Sequence, residues 1–170
     1  MSQTEVRLLT ERDAESLWAI RLEALELEAQ AFSQSASEHR VTSAAGMAPY
    51  IQANANQFGI GAFVEGKLVG TLRFVRSERE KQRHRGSVHA MYVSKPHRGK
   101  GLGRSMMNEL LRLAHEQDGL EQLELHVATE QMAARNLYES CGFSYCGQQE
   151  RALKIDHAYV DYEIMMLKLR

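Results

Sequence analysis

The chain has 170 residues, 44% of them hydrophobic and 25% charged, with a formal net charge of −1. That length predicts one domain over residues 1–170, large enough to bury a core without staples, and the balanced charge excludes the basic excess of a dedicated nucleic-acid-binding domain. Two cysteines, Cys141 and Cys146, exclude a disulfide framework and point to a reducing cytoplasm; apolar runs fall short of the ~18 residues that span a bilayer, and the polar start MSQTEVRLLTERD does not read as a signal peptide.

In chain order, Val6 to Leu9 reads as a strand, and Thr10 and Asp13 offer capping side chains for a helix reaching about Gln30. Leu17, Trp18, Ala24 and Leu25 mark its core side, and Arg21 falls inside that stripe. A weaker helical stretch covers part of Ser37 to Asn56, interrupted by Gly46 and Pro49. Phe58 to Val64 and Leu68 to Val75 read as a hairpin about Glu65-Gly66-Lys67. Arg76 to Arg85 carries charges of both signs and reads as a solvated loop. Val88 to Ser94 is a strand stopped by Pro96, and a helix runs from about Leu102 to Gln117 on the stripe Met106, Leu110, Leu113. Leu123, Leu125 and Val127 alternate as a strand; a short helix over about Glu130 to Cys141 ends at Gly142. Phe143 to Gln148 and Ala158 to Lys168 close the chain as strands. This order predicts a mixed α/β (α+β) fold around one sheet.

The strand at Val88 runs into RGKGLG, Arg98 to Gly103. Glycines at alternate positions let the main chain approach a ligand, and the helix start that follows offers free N–H groups to an anion. Arg98, Lys100 and Arg104 add positive charge, so a pyrophosphate suits the turn; a tight turn with glycines placed for packing is the bland alternative. A P-loop is excluded because Gly101 follows Gly99-Lys100 and Ser94 stands where its first glycine belongs. A Rossmann turn is excluded because its last glycine would fall on Arg104 or Met106.

The pattern that fits is Arg/Gln-x-x-Gly-x-Gly/Ala, filled by Arg98, Gly101 and Gly103. With Met91-Tyr92-Val93 and Pro96 upstream, and Ala134-Arg135-Asn136-Leu137-Tyr138 through Gly142-Phe143 downstream, the chain resembles the GNAT superfamily of acyl-CoA N-acyltransferases over nearly its whole length. The resemblance implies a mixed central sheet of about six to seven strands with a splayed parallel pair, flanked by about four helices. It implies acetyl-CoA as co-substrate, its pantetheine arm on the main chain of Met91, Tyr92 and Val93 and its pyrophosphate on the turn of Arg98, Gly99, Lys100, Gly101, Leu102, Gly103 and Arg104. The amide of Met91 would polarise the thioester carbonyl, and Tyr138 would protonate the departing thiolate. Pattern alone reads Tyr138 as a core tyrosine and Met91 and Val93 as core alternation. Many relatives carry asparagine where Gln131 stands, so Gln131 or Asn136 is expected at the pantetheine.

His89 is the expected general base: by alternation it shares a face with Met91 and Val93, and its reference pKa of ~6.5 suits the task. A strand histidine with no catalytic role is the alternative, and Glu124, His126 or water are further bases. The seven histidines lack ligand spacing, so no metal is expected, and the missing Gly-x-Ser-x-Gly elbow speaks against a hydrolase. Arg21, Phe32 and Tyr50 are expected on the acceptor wall, with Arg21 bound to an acceptor carboxylate or, as the safer reading, to an internal acid. The expected function is transfer of acetyl to a small-molecule amine by direct attack in a ternary complex, with no nucleic-acid or membrane partner and a possible homodimer. The rivals are a protein N-terminal or lysine acetyltransferase, which needs a long open groove, and a non-catalytic acyl-CoA sensor.

Overall fold

The computed structural model describes residues 3–169. Seven strands, β1 (Thr4–Leu8), β2 (Gln57–Val64), β3 (Lys67–Arg76), β4 (Arg85–Val93), β5 (Gln122–Ala128), β6 (Ser144–Ile155) and β7 (Ala158–Lys168), alternate with five α-helices: α1 (Ala14–Leu27), α2 (Ala36–Arg40), α3 (Ala48–Ile51), α4 (Leu102–His115) and α5 (Met132–Ser140). The strands form one sheet in the order β1-β2-β3-β4-β5-β7-β6. Every neighbouring pair is antiparallel except β4 and β5. A tight turn cannot join parallel neighbours, and α4 supplies the crossover. This is the expected mixed α/β sheet with its single parallel pair. None of its described helices is long and apolar enough to cross a membrane.

The weak helical stretch at 37–56 divides in two. Ser35 caps α2 by accepting from the Glu38 N–H at 3.2 Å, and the Glu38 carboxylate returns to the Ser35 N–H at 2.7 Å. Pro49 stands in the first turn of α3, where its missing N–H costs nothing. β6 runs seven residues past the expected end at Gln148, because a bulged edge strand hides its alternation.

Apolar side chains cover both faces of the sheet. On one, Met106, Met107, Leu110 and Ala114 of α4 bury against Leu72, Phe74, Val88 and Leu123, joined by Tyr138 and Phe143. On the other, Leu17, Ile20 and Ala24 of α1 bury against Phe63, Leu68 and Tyr92. The Tyr92 hydroxyl donates to Glu23 Oε1 at 2.9 Å, tying α1 to β4, and burial together with that carboxylate pushes the phenol up to about 12.

A forked ion pair fixes the entry to α1. Arg7 Nη1 and Nη2 donate to the two oxygens of Asp13 at 2.8 and 2.9 Å, and the Thr10 N–H adds a third bond at 2.7 Å. The Arg7 bonds, with help from Thr10, hold the buried Asp13 carboxyl down from 3.8 to about 2. A folded-state pKa below the unfolded one contributes stability that is present above pH 3.8 and is lost as pH falls toward 2. Asp13→Asn is therefore expected to cost ~2 kcal/mol at pH 6 and far less near pH 2. Urea unfolding of both proteins across that range measures the convergence; parallel curves would remove Asp13 from the acid response.

Candidate active site

The sheet opens at its parallel pair. β4 and β5 are in register only from Arg85↔Gln122 to Val88↔Leu125. Beyond that, His89–Val93 and His126–Ala128 have no pairing with each other, and a wedge of free main chain separates the strands. β4 also carries a bulge. Thr71 pairs with Tyr92 and Arg73 with His89, so Ala90 and Met91 together face Leu72. Ala90 takes φ 53°, a left-handed conformation that costs a non-glycine residue about 1 kcal/mol.

The bulge corrects one expectation. His89 does not share a face with Met91 and Val93. The extra residue reverses alternation, so Met91 and Val93 pack toward α4 with Val88, while His89 turns to the α1 side of the sheet with Arg73. The packing reading of Met91 and Val93 holds for their side chains, and their main chain still borders the wedge.

At the wedge mouth the glycine turn opens α4. Gly99 and Gly101 have φ of 74° and 80°, and Gly101, at the N-cap, has no side chain to cap the first N–H groups. Gly103 lies where a Cβ would meet Leu137 Cδ2 at 3.0 Å and Met91 Cε at 3.2 Å, so a larger side chain there would have to push those two aside. Arg98 is an internal strut: Nε donates to the Val93 carbonyl at 2.8 Å and Nη1 to Glu28 Oε1 at 3.0 Å. Arg104 braces α4 against α5 by donating to Ser140 Oγ at 2.8 Å. Lys100 points to solvent outside the cleft.

Turn and wedge line one continuous cleft of about 1050 Å³. Met91, Tyr92, Val93, Arg98, Gly99, Gly101, Leu102, Gly103, Arg104 and Gln131 all border it; the exposed Asn136 does not. Gln131 Nε2 lies 3.5 Å from Glu28 Oε2, so Glu28 reaches both sides of the mouth. Tyr138 borders the cleft from α5, its ring 6% exposed and set edge-on to Phe143 at 6.2 Å. Burial, and then neighbouring Cys141, pushes its phenol well above the usual range, so it stays protonated. None of the described residues hydrogen-bonds its hydroxyl.

His89 opens into the cleft, walled by protein but accessible. Burial and then the charges of Arg73 and His126 lower its pKa, with Glu124 opposing, so the imidazole is neutral near pH 7. Glu124 also borders the cleft, but its carboxylate is ion-paired to Arg85 and lies 3.4 Å from His126 Nε2. Arg21, Phe32 and Tyr50, expected on the acceptor wall, all line this cleft. Arg21 meets no acid among the described residues: Nε and Nη2 donate to Gln34 Oε1 at 3.1 and 2.8 Å.

Arg73 and Glu28 are cleft residues that the sequence did not announce. Arg73 sits between Leu72 and Phe74 and reads as the solvent side of a half-buried strand. That its face, shared with Thr71, is covered shows only in the fold. Glu28 lies past the end of α1 and gave none.

Residues 21–143 match the family model described as the Acetyltransferase (GNAT) family. Over 84 residues, 49% of either chain, the sequence is 32% identical to spermidine N(1)-acetyltransferase of Vibrio cholerae, so the match spans about half of that relative. An acetyltransferase of the GNAT family from Streptococcus pneumoniae superposes with a TM-score of 0.80 at 26% identity, covering 98% of this chain and 99% of that one. The Salmonella typhimurium protein yncA, whose structure includes its cofactor acetyl-CoA, shares the fold with a TM-score of 0.85 at 19% identity, covering 98% of this chain and 94% of that one.

Proposed function

The chain belongs to the GNAT acetyltransferase family, and from that premise we propose that it is an N-acetyltransferase moving the acetyl group of acetyl-CoA to the amine of a small molecule. One observation carries the reading: free main chain between two parallel strands runs directly to an uncapped, glycine-lined helix start. An extended amide-bearing arm suits the first feature, because it can complete the strand ladder. A pyrophosphate suits the second. The residues present therefore fit the cofactor. Ala90 to Val93 and Gln131 would hold the pantetheine arm, and the N–H groups from Gly99 to Arg104 the phosphates, with Lys100 free to add charge from the rim.

Bound there, acetyl-CoA supplies an acyl group activated as a thioester. His89 takes a proton from the acceptor nitrogen, directly or through water. Tyr138 holds a proton at its hydroxyl for the sulfur. The Met91 N–H, beside the bulge, offers a fixed dipole for carbonyl charge. The acceptor end is walled by Arg21, Phe32 and Tyr50, which favours a small molecule over an extended polypeptide. The Vibrio cholerae relative, named for a polyamine, supports an amine as acceptor.

Calorimetry with acetyl-CoA tests the reading. Gly101→Ala puts a side chain at φ 80° with open space around it, so the cost is backbone strain and not a clash. Strain of 1–2 kcal/mol at the phosphate turn is expected to weaken binding about 10-fold. Wild-type protein that binds no acetyl-CoA would overturn the proposal. Acetylation of peptides but of no small amine would replace the acceptor class.

A further inference from the structure

Arg21 and Arg73 form a pair of cations at the acceptor end of the cleft, and none of the described carboxylates pairs with either. Both are partly buried and border the cleft. They flank the Tyr50 ring, with the Arg73 guanidinium carbon 4.3 Å and that of Arg21 5.5 Å from its centroid. Each is held in place by a neutral amide: Arg21 by Gln34, and Arg73 by Gln57 Oε1 at 2.8 Å. Arg73 Nε is buried with no hydrogen-bond partner. Six other arginines, at positions 7, 40, 85, 98, 112 and 135, each meet a carboxylate. Burial lowers the pKa of both cleft guanidiniums, and Arg73 lowers that of Arg21 further. Uncompensated charge in a half-buried site is costly, and a buried N–H without a partner is hydrogen-bonding capacity that the protein itself leaves unused.

We propose that the acceptor is an amine bearing a small oxyanion close to its nitrogen, a short amino acid or its phosphonate counterpart, with the oxyanion held by Arg21 and Arg73. This rests on the N-acetyltransferase reading and names its substrate class. Neighbouring strands set the two groups close together. Arg73 is the cross-strand partner of His89, and its charge acts on that imidazole. An oxyanion on Arg73 therefore leaves only a short spacer between it and the amine that His89 serves. Glu124 is already answered by Arg85, so the unanswered charge of this end of the cleft is positive and complements an anion carried beside the amine. A polyamine has no group for the paired guanidiniums and would add charge of the same sign beside them.

Matched ligands make the test. CoA release from acetyl-CoA is measured with α-, β- and γ-amino carboxylates, their carboxamides, aminoalkylphosphonates and spermidine. The free acids or phosphonates are expected to exceed the carboxamides in kcat/KM by about 10²-fold, as for a lost charge-assisted pair, with the shortest spacers favoured. Arg73→Gln and Arg21→Gln should collapse that ratio toward one, and Arg73→Lys should restore part of it; thermal unfolding confirms that each variant is folded. Carboxamides or spermidine used as well as the acids, or no oxyanion-bearing amine raising CoA release, would overturn the proposal. Direct calorimetry of the same acids and carboxamides, with and without CoA, separates the two readings. A protein that binds the acids through Arg73 but not acetyl-CoA would keep this pocket and lose the transferase.

Discussion

Tyr138→Phe is expected to lower kcat by about 10²-fold or more while leaving the fold and the affinity for acetyl-CoA in place. The ring is buried against Phe143, and the substitution keeps it. The hydroxyl has no partner among the described residues, so its loss breaks no internal hydrogen bond and should change stability by less than about 1 kcal/mol. What is lost is the single polar atom of a side chain that borders the cleft. A bond that strengthens as charge grows on the sulfur is felt in the transition state, so kcat falls and cofactor binding does not. Because the phenol is held above its ordinary pKa, it remains a donor through neutral and mildly basic pH. The rate loss should therefore be flat from pH 6 to 9. A core tyrosine with no catalytic part predicts the opposite pattern, altered unfolding with normal turnover. A stable Phe variant with wild-type kcat removes Tyr138 from the mechanism.

His89→Ala is expected to reduce turnover by ~10²–10⁴-fold if the imidazole is the sole base. The acceptor's own ionisation complicates any single pH profile, but it cancels in the ratio of wild type to variant measured with one amine. The sign follows from the environment. A folded-state pKa below 6.5 leaves His89 neutral, and so able to accept a proton, at and above that pH. The ratio should hold a plateau above pH 6.5 and fall as pH drops through the lowered pKa, where wild type loses its base and the variant has none to lose. A ratio near one at every pH transfers the role to His126, Glu124 or water.

Much of this was legible in the chain because some chemistry admits few residues. Gly99 and Gly101 sit at positive φ before a helix, and glycine is the residue that does so without strain. The α4 stripe is regular: Met106 and Leu110 are buried together with Met107 and Ala114, and Leu113 is partly buried against the same core. The Ala90 bulge was not legible. Its left-handed residue is an alanine, and nothing in Val88-His89-Ala90-Met91 marks a break in alternation, so the face of His89 was misread. The cleft charges were hidden for a different reason. Arg98 looked free beside a phosphate turn, yet its partner Glu28 lies 70 residues away in the chain. Arg21 and Arg73 come together only across Tyr50, which stands on a four-residue helix with little pattern of its own.

The early end of the β4–β5 ladder at Val88 and Leu125 has one more consequence. Whatever docks along that seam meets peptide groups, which nearly every amino acid carries alike. Met91 and Val93 can therefore drift in identity without altering what the seam offers, provided proline stays out of them. An alanine scan would be almost blind to these two positions, reporting them as filler. Inheritance is split accordingly: the part of the cleft common to all turnovers is written in backbone shape, and the part that chooses an acceptor is written in side chains such as Arg21, Tyr50 and Arg73, each free to change alone.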